Sequence, residues 1–273
     1  MMENVMIPNV PTASMVGMVV SLIVSVGLPI ALCIIVYKKT KARISCFFIG
    51  AATFVVFALI LEQILHTIVL AVSGTALTGN IWLYALYGGL AAGVFEETGR
   101  YLAMKLCMKK NLSKQNAIMY GVGHGGIEAI LLAGISCVNN LVIAMMINGG
   151  QAPMLLSVGG VNDATYQQVL AQLMAVSTTP SWQFYMVGLE RISAIVFHIS
   201  ASYLVYLAVS RKKPLYYLLA VLAHFLLDAL AVISAKYLPI LAVEGLLLLF
   251  SAVFGCVIWR MYHSSPKQRD DSD

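Results

Sequence analysis

Apolar residues fill seven long runs, near residues 13–36, 44–72, 81–105, 115–146, 184–210, 214–234 and 240–261. Each is long enough to cross a bilayer as a helix, which takes about 20 residues. The pattern predicts an all-α, polytopic membrane helix bundle of about seven transmembrane helices. The second and fourth runs exceed that length and are expected to tilt or project, and Pro29 to kink the first. Residues 1–262 read as a single transmembrane domain, and the polar stretch 263–273 as a disordered cytoplasmic tail.

The polar interruptions orient the bundle. Lys38, Lys39, Lys41 and Arg43 follow the first run, and Lys105, Lys109, Lys110 and Lys114 link the third to the fourth. Arg211, Lys212 and Lys213 link the fifth to the sixth, and Arg260, Lys267 and Arg269 follow the seventh. Apart from Arg100 and Arg191, 14 basic residues lie on one side and only Lys236 on the other. Basic loops stay in the cytoplasm, so the N-terminus is expected outside and the C-terminus inside. The external 147–183 segment contains an amphipathic stretch, 163–177, that reads as an interfacial connector, with a lid as the alternative.

Composition agrees with a lipid solvent. The chain is 60% hydrophobic and 11% charged, against about 25% charged in soluble domains. Its five cysteines form no CxxC pair, so neither a disulfide framework nor a zinc knuckle is expected. The N-terminus lacks a basic n-region, so the first run is expected to remain as an anchor. The net charge of +5 reports topology and contact with anionic membrane lipids; no nucleic acid is expected as a partner.

Seven of the twelve acidic residues fall inside the runs: Glu62, Glu96, Glu97, Glu128, Glu190, Asp228 and Glu244. His66, His124, His198, His224, Arg100 and Arg191 do too. A charge near mid-bilayer costs about 2.5–3.5 kcal/mol or more, so so many together imply a polar interior site. Glu62–His66, His124–Glu128 and His224–Asp228 are spaced i,i+4, which puts each pair on one helix face. Such a pair can chelate a metal, let a carboxylate orient an imidazole, or simply tie helices together. Asn139 lies roughly 60° round from His124 and is expected to extend that face.

Depth selects among them. His124 and His224 lie about 15 Å, His198 about 18 Å, and Glu96 and Glu97 about 13 Å from the basic ends of their helices. These residues therefore share a level. Glu62 and His66 lie some 10–15 Å further out, which suits a structural role or the lining of an access path, and Glu190 and Glu244 lie near the external surface. Adjacent Glu96 and Glu97 point about 100° apart. Arg100 can neutralise one and leave the other to face the cavity as a general base. Gly88, Gly89 and Gly93 precede the glutamates, and Gly121, Gly123, Gly125 and Gly126 bracket His124. Small residues allow close helix approach, and beside the histidine they are expected to leave room for a peptide or water.

The order EE-x-x-R (Glu96, Glu97, Arg100), aromatic-x-x-x-His (Tyr120 to His124) and His-x-x-x-Asp (His224 to Asp228) resembles the CAAX-protease, bacteriocin-processing and PrsW superfamily of intramembrane proteases. The GHGGIE and FEETGRY runs most resemble its YhfC family of intramembrane metalloproteases. The chain departs from CAAX proteases in having two residues rather than three before the arginine, and Tyr120 where they have phenylalanine. The resemblance implies that Glu96 activates water with His124, that Glu97 and Arg100 support it, and that His224 and Asp228 stabilise the oxyanion or bind metal. His198 and Glu128 fall outside those motifs and can complete a metal site. His124, His198 and His224 are enough imidazoles for zinc or another divalent metal with an open position; the rival is a metal-free glutamic mechanism.

The leading expectation is a multi-pass bacterial cell-membrane peptidase. Water would enter from the cytoplasmic side, and the substrate would be a membrane-associated peptide or protein. A proton-coupled transporter and a catalytically silent member that binds a membrane partner are the alternatives. The absence of an inverted repeat weighs against the transporter.

Overall fold

The computed structural model describes residues 6–159 and 163–264. Helices follow one another through these residues, and none of the described residues is in a strand. They are α1 (Thr12–Thr40), α2 (Ile44–Ser73), α3 (Ile81–Leu102), α4 (Lys114–Asn148), α5 (Ala152–Gly159), α6 (Asp163–Thr178), α7 (Ser181–Ser210), α8 (Pro214–Tyr237) and α9 (Ile240–Ser264). Local chemistry explains their ends. The Asn80 side chain accepts from the amides of Trp82 and Leu83 at the start of α3, and Ser113 Oγ accepts from Asn116 N at the start of α4. Pro214 sits in the first turn of α8, where its missing N–H costs nothing. Lys41 and Lys212 turn the chain out of α1 and α7 in the left-handed region, at φ of 58° and 53°.

Helices α1, α2, α4, α7, α8 and α9 are long and apolar enough to cross a membrane. The protein is thus a multi-pass integral membrane protein. Helix α3, with 22 residues, is also long enough, but Glu96, Glu97 and Arg100 make it more polar than the other six. The expected span limits agree with these helices to within a few residues. The tail beyond residue 264 lies outside the described residues.

Three turns are wound as π-helix: Val55–Glu62 within α2, Ala103–Cys107 after α3, and Ala129–Gly134 within α4. Such turns are rare and gather at functional sites. Here Glu62 ends the first and Glu128 immediately precedes the third. The third also alters the phase of α4, so the angle expected for Asn139 does not hold. Asn139 is exposed and does not extend a buried polar face.

The chain divides into two compact units. One comprises Met1–Gly27 and Ile130–Arg191. Its core joins Val10, Met18, Ala144, Ile147, Leu173 and Val176, so α6 buries apolar positions of its amphipathic stretch there. Ser21 Oγ donates to the Phe184 carbonyl at 2.5 Å and accepts from Gly188 N at 3.0 Å, holding α1 to α7. Arg191 is hydrogen-bonded to its neighbour Glu190.

The other unit comprises Leu28–Ala129 and Ile192–Asp273, and glycines set its helix spacing. A Cβ on Gly89 would meet the Phe225 carbonyl oxygen at 2.7 Å, and one on Gly93 that of Val221 at 2.8 Å, so α3 and α8 touch backbone to backbone. A Cβ on Gly123 would lie 1.9 Å from the Phe47 carbonyl oxygen, and one on Gly50 2.1 Å from that of Tyr120, which does the same for α2 and α4. Gly121 and Gly125 face Ile199 and Ile195 of α7, and Gly126 faces Pro29. The space beside His124 is therefore filled by neighbouring helices. At these glycines no room is left for the peptide or water that their density predicts. Gly123→Ala is expected to destabilise the protein by about 1–3 kcal/mol, as overpacking does. Gly88→Ala, with nothing within 4 Å of its Cβ, should leave thermal unfolding in detergent unchanged.

Candidate functional site

Four helices of this second unit bring the polar residues together: Glu96, Glu97 and Arg100 from α3, His124 and the half-buried Glu128 from α4, His198 from α7, and His224 and the half-buried Asp228 from α8. The common level expected from helix depth is realised as contact. Glu96 is the hub. Its Oε2 lies 2.9 Å from His124 Nε2 and 4.0 Å from His198 Nδ1, while its Oε1 lies 3.9 Å from His224 Nε2. The ring centroids of His124 and His198 are 4.9 Å apart, and those of His198 and His224 5.5 Å.

A second layer holds these groups in place. Arg100 is completely buried, and its Nε meets Glu97 Oε2 at 2.9 Å. Its Nη1 donates to the His198 carbonyl at 2.9 Å and to Ser202 Oγ, and its Nη2 to His198 Nδ1 at 3.0 Å. A guanidinium only donates, so His198 Nδ1 carries a lone pair, and the Nε2 proton faces Glu128 Oε2 at 2.5 Å. Glu97 Oε1 lies 2.9 Å from His224 Nδ1. That contact turns His224 Nε2 toward Glu96 and toward Asp228 Oδ2, 3.7 Å away. Arg100 thus pairs with Glu97 and leaves Glu96 to face the other imidazoles.

Of the three i,i+4 pairs, Glu62–His66 is in contact at 3.1 Å and His224–Asp228 at 3.7 Å. In the third, the partners reach across helices, His124 to Glu96 and Glu128 to His198. Tyr87, which the sequence reading passed over, places its hydroxyl 2.7 Å from His66 Nδ1. A tyrosine six residues into an apolar helix carries no signal of such a partner.

The donor set suits a divalent cation. Donor atoms of Glu96, His124 and His198 all lie within 4.8 Å of one another, and all three residues are buried. Two imidazoles and a carboxylate are ordinary ligands for zinc and its neighbours. His124 Nδ1 is buried without a hydrogen-bond partner among the described residues. His224, expected as the third imidazole ligand, is joined to this group through Glu96 Oε1. The separations of 3.7–4.0 Å are too long for direct hydrogen bonds and leave room for a water or an ion.

Fold and site together define an all-helical, multi-pass membrane protein with a buried carboxylate–imidazole centre. The profile of the YhfC intramembrane metalloprotease family matches residues 24–247, which include every residue of that centre. The chain belongs to this family. It is also 41% identical over 212 residues, 77% of this chain and 80% of the relative, to "Uncharacterized membrane protein YhfC" of Bacillus subtilis (strain 168). No solved structure matches it.

Proposed function

We propose that the chain is an intramembrane peptidase that crosses the membrane seven times, with α3 as the seventh span and the basic ends cytoplasmic. The observation that carries this reading is Glu96, a buried carboxylate on which imidazoles from three other helices converge. A metal would be held by Glu96 Oε2, His124 and His198; at His198 Nδ1 it would take the place of Arg100 Nη2. Such a cation polarises a carbonyl and acidifies water.

The chain's own groups do the rest. Glu96, through Oε1, takes a proton from water as the water oxygen bonds to the carbonyl carbon, and returns it to the amine when the C–N bond breaks. In the metal-free version, His124 orients Glu96 from 2.9 Å. His224, as the imidazolium donating from Nδ1 to Glu97, donates its Nε2 proton, beside Asp228, to the oxyanion. The substrate is a peptide segment within or at the membrane.

The test is cleavage of membrane-inserted peptides by purified protein in proteoliposomes, read by mass spectrometry, alongside elemental analysis. Bound metal is expected, with loss of cleavage on its removal. Cleavage that survives removal would assign the glutamic mechanism to Glu96 and His124. Absence of cleavage by metal-loaded protein, with movement of a solute that Glu96→Gln abolishes, would replace the peptidase with a carrier.

A further inference from the structure

The polar groups at the centre are not equally covered, and the difference runs in one direction. Glu97, Arg100 and His124 are fully buried, and the Glu96 side chain is 9% exposed. His66 rises to 23% and Asp228 to 35%. Both lie on the side of the centre away from the basic ends, toward Ser73 of α2 and Tyr237 of α8. Exposure of a carboxylate to hydrocarbon is costly, so what reaches Asp228 is water.

Toward the basic ends the centre is closed. On each of its four helices a buried apolar or aromatic side chain lies further toward the basic end: Met104 after α3, Met119 on α4, Tyr203 and Leu207 on α7, and Ala220 on α8. By contrast, the Gln63–Ser73 end of α2 and the one-turn helix Thr75–Thr78 bury no residue at all.

Between the centre and that open end stands a polar line. Tyr87 hydroxyl, His66 and Glu62 are joined at 2.7 and 3.1 Å. Glu62 closes the π turn of α2 and is itself buried, so the line runs inward from the open end.

We infer that water reaches the Glu96 centre from the Ser73–Ile81 side, along Tyr87, His66, Glu62 and Asp228. By the distribution of basic residues that is the external side, opposite to the cytoplasmic access expected from helix depth. The role of this water in hydrolysis rests on the peptidase reading, but the route itself does not.

Cysteine labelling separates the two. In full-length protein with its five native cysteines replaced, Thr78→Cys marks the open end and Lys109→Cys the basic end. His66→Cys, Asp228→Cys, Met119→Cys and Ala220→Cys are then exposed to a charged, membrane-impermeant thiosulfonate from each side of oriented vesicles. Modification is read as a mass shift, which requires no activity. His66→Cys or Asp228→Cys is expected to react from the side that modifies Thr78→Cys, with Met119→Cys and Ala220→Cys unmodified. Reaction of Met119→Cys or Ala220→Cys from the Lys109→Cys side would overturn the inference, as would silence of both His66→Cys and Asp228→Cys. Ala220→Cys is small enough to keep the fold if Met119→Cys does not. A peptidase that fails the cleavage test can still pass this one, and the reverse.

Discussion

Glu96→Gln is expected to lower peptide cleavage by about 10²–10⁴-fold, the range that a positioned general base contributes. The substitution keeps the shape of the side chain and its place 2.9 Å from His124 Nε2. It removes the charge that accepts the proton, and with it the carboxylate donor of the group of three, so bound metal is expected to fall as well. Thermal unfolding in detergent should change little, because Glu96 has no arginine partner to strand; that honour of pairing falls to Glu97. His124→Ala is expected to lower activity comparably and to reduce bound metal as well, since it removes a donor from the group of three. Measuring cleavage, melting temperature and metal content on the same samples separates a lost base from a lost fold.

Arg100→Met is expected to damage the protein itself. It leaves Glu97 as an unpaired buried charge and takes donors from the His198 carbonyl and Ser202. Breaking a buried ion pair from one side costs about 3–5 kcal/mol, a large part of the roughly 5–15 kcal/mol that holds a domain folded. Loss of folded yield is the outcome to look for. Adding Glu97→Gln should restore part of it, because the stranded charge is gone while the amide oxygen can still accept from His224 Nδ1. Arg100→Lys keeps the charge but not the fork, and cannot reach Glu97, His198 and Ser202 together. If the double variant is no better folded than Arg100→Met, the pair does not supply the stability assigned to it.

Much of this centre was legible because lipid penalises polar groups so heavily. A carboxylate or imidazole inside a run such as 81–105 stands out against its surroundings, and helix rise converts its position into depth. His198, which belongs to no motif, entered the site on depth alone, and the structure sets it 4.0 Å from Glu96. Rotation was much harder to read. Depth says nothing about which face of α4 meets which helix, so spacing alone pairs Glu128 with His124 on its own helix, whereas it reaches His198 across the bundle. The glycines around His124 announced close approach without naming what approaches. Asn139 was misplaced because the angle assumed unbroken α winding, and the π turn at Ala129–Gly134 lies between it and His124.

Those π turns make helix length an adjustable part of the centre. A turn closed at i+5 stores one residue more than a turn closed at i+4. Deleting a single residue from Val55–Glu62 would let α2 relax to ordinary winding without turning what lies beyond it, because the π turn carries its extra residue within the same rotation. Gly50 would stay seated on α4, since backbone contact fixes it there. His66 would still face the Tyr87 hydroxyl. The same deletion in a helix of unbroken α winding would swing everything beyond it by about 100°, so α2 tolerates at this turn a change of length that an ordinary helix does not.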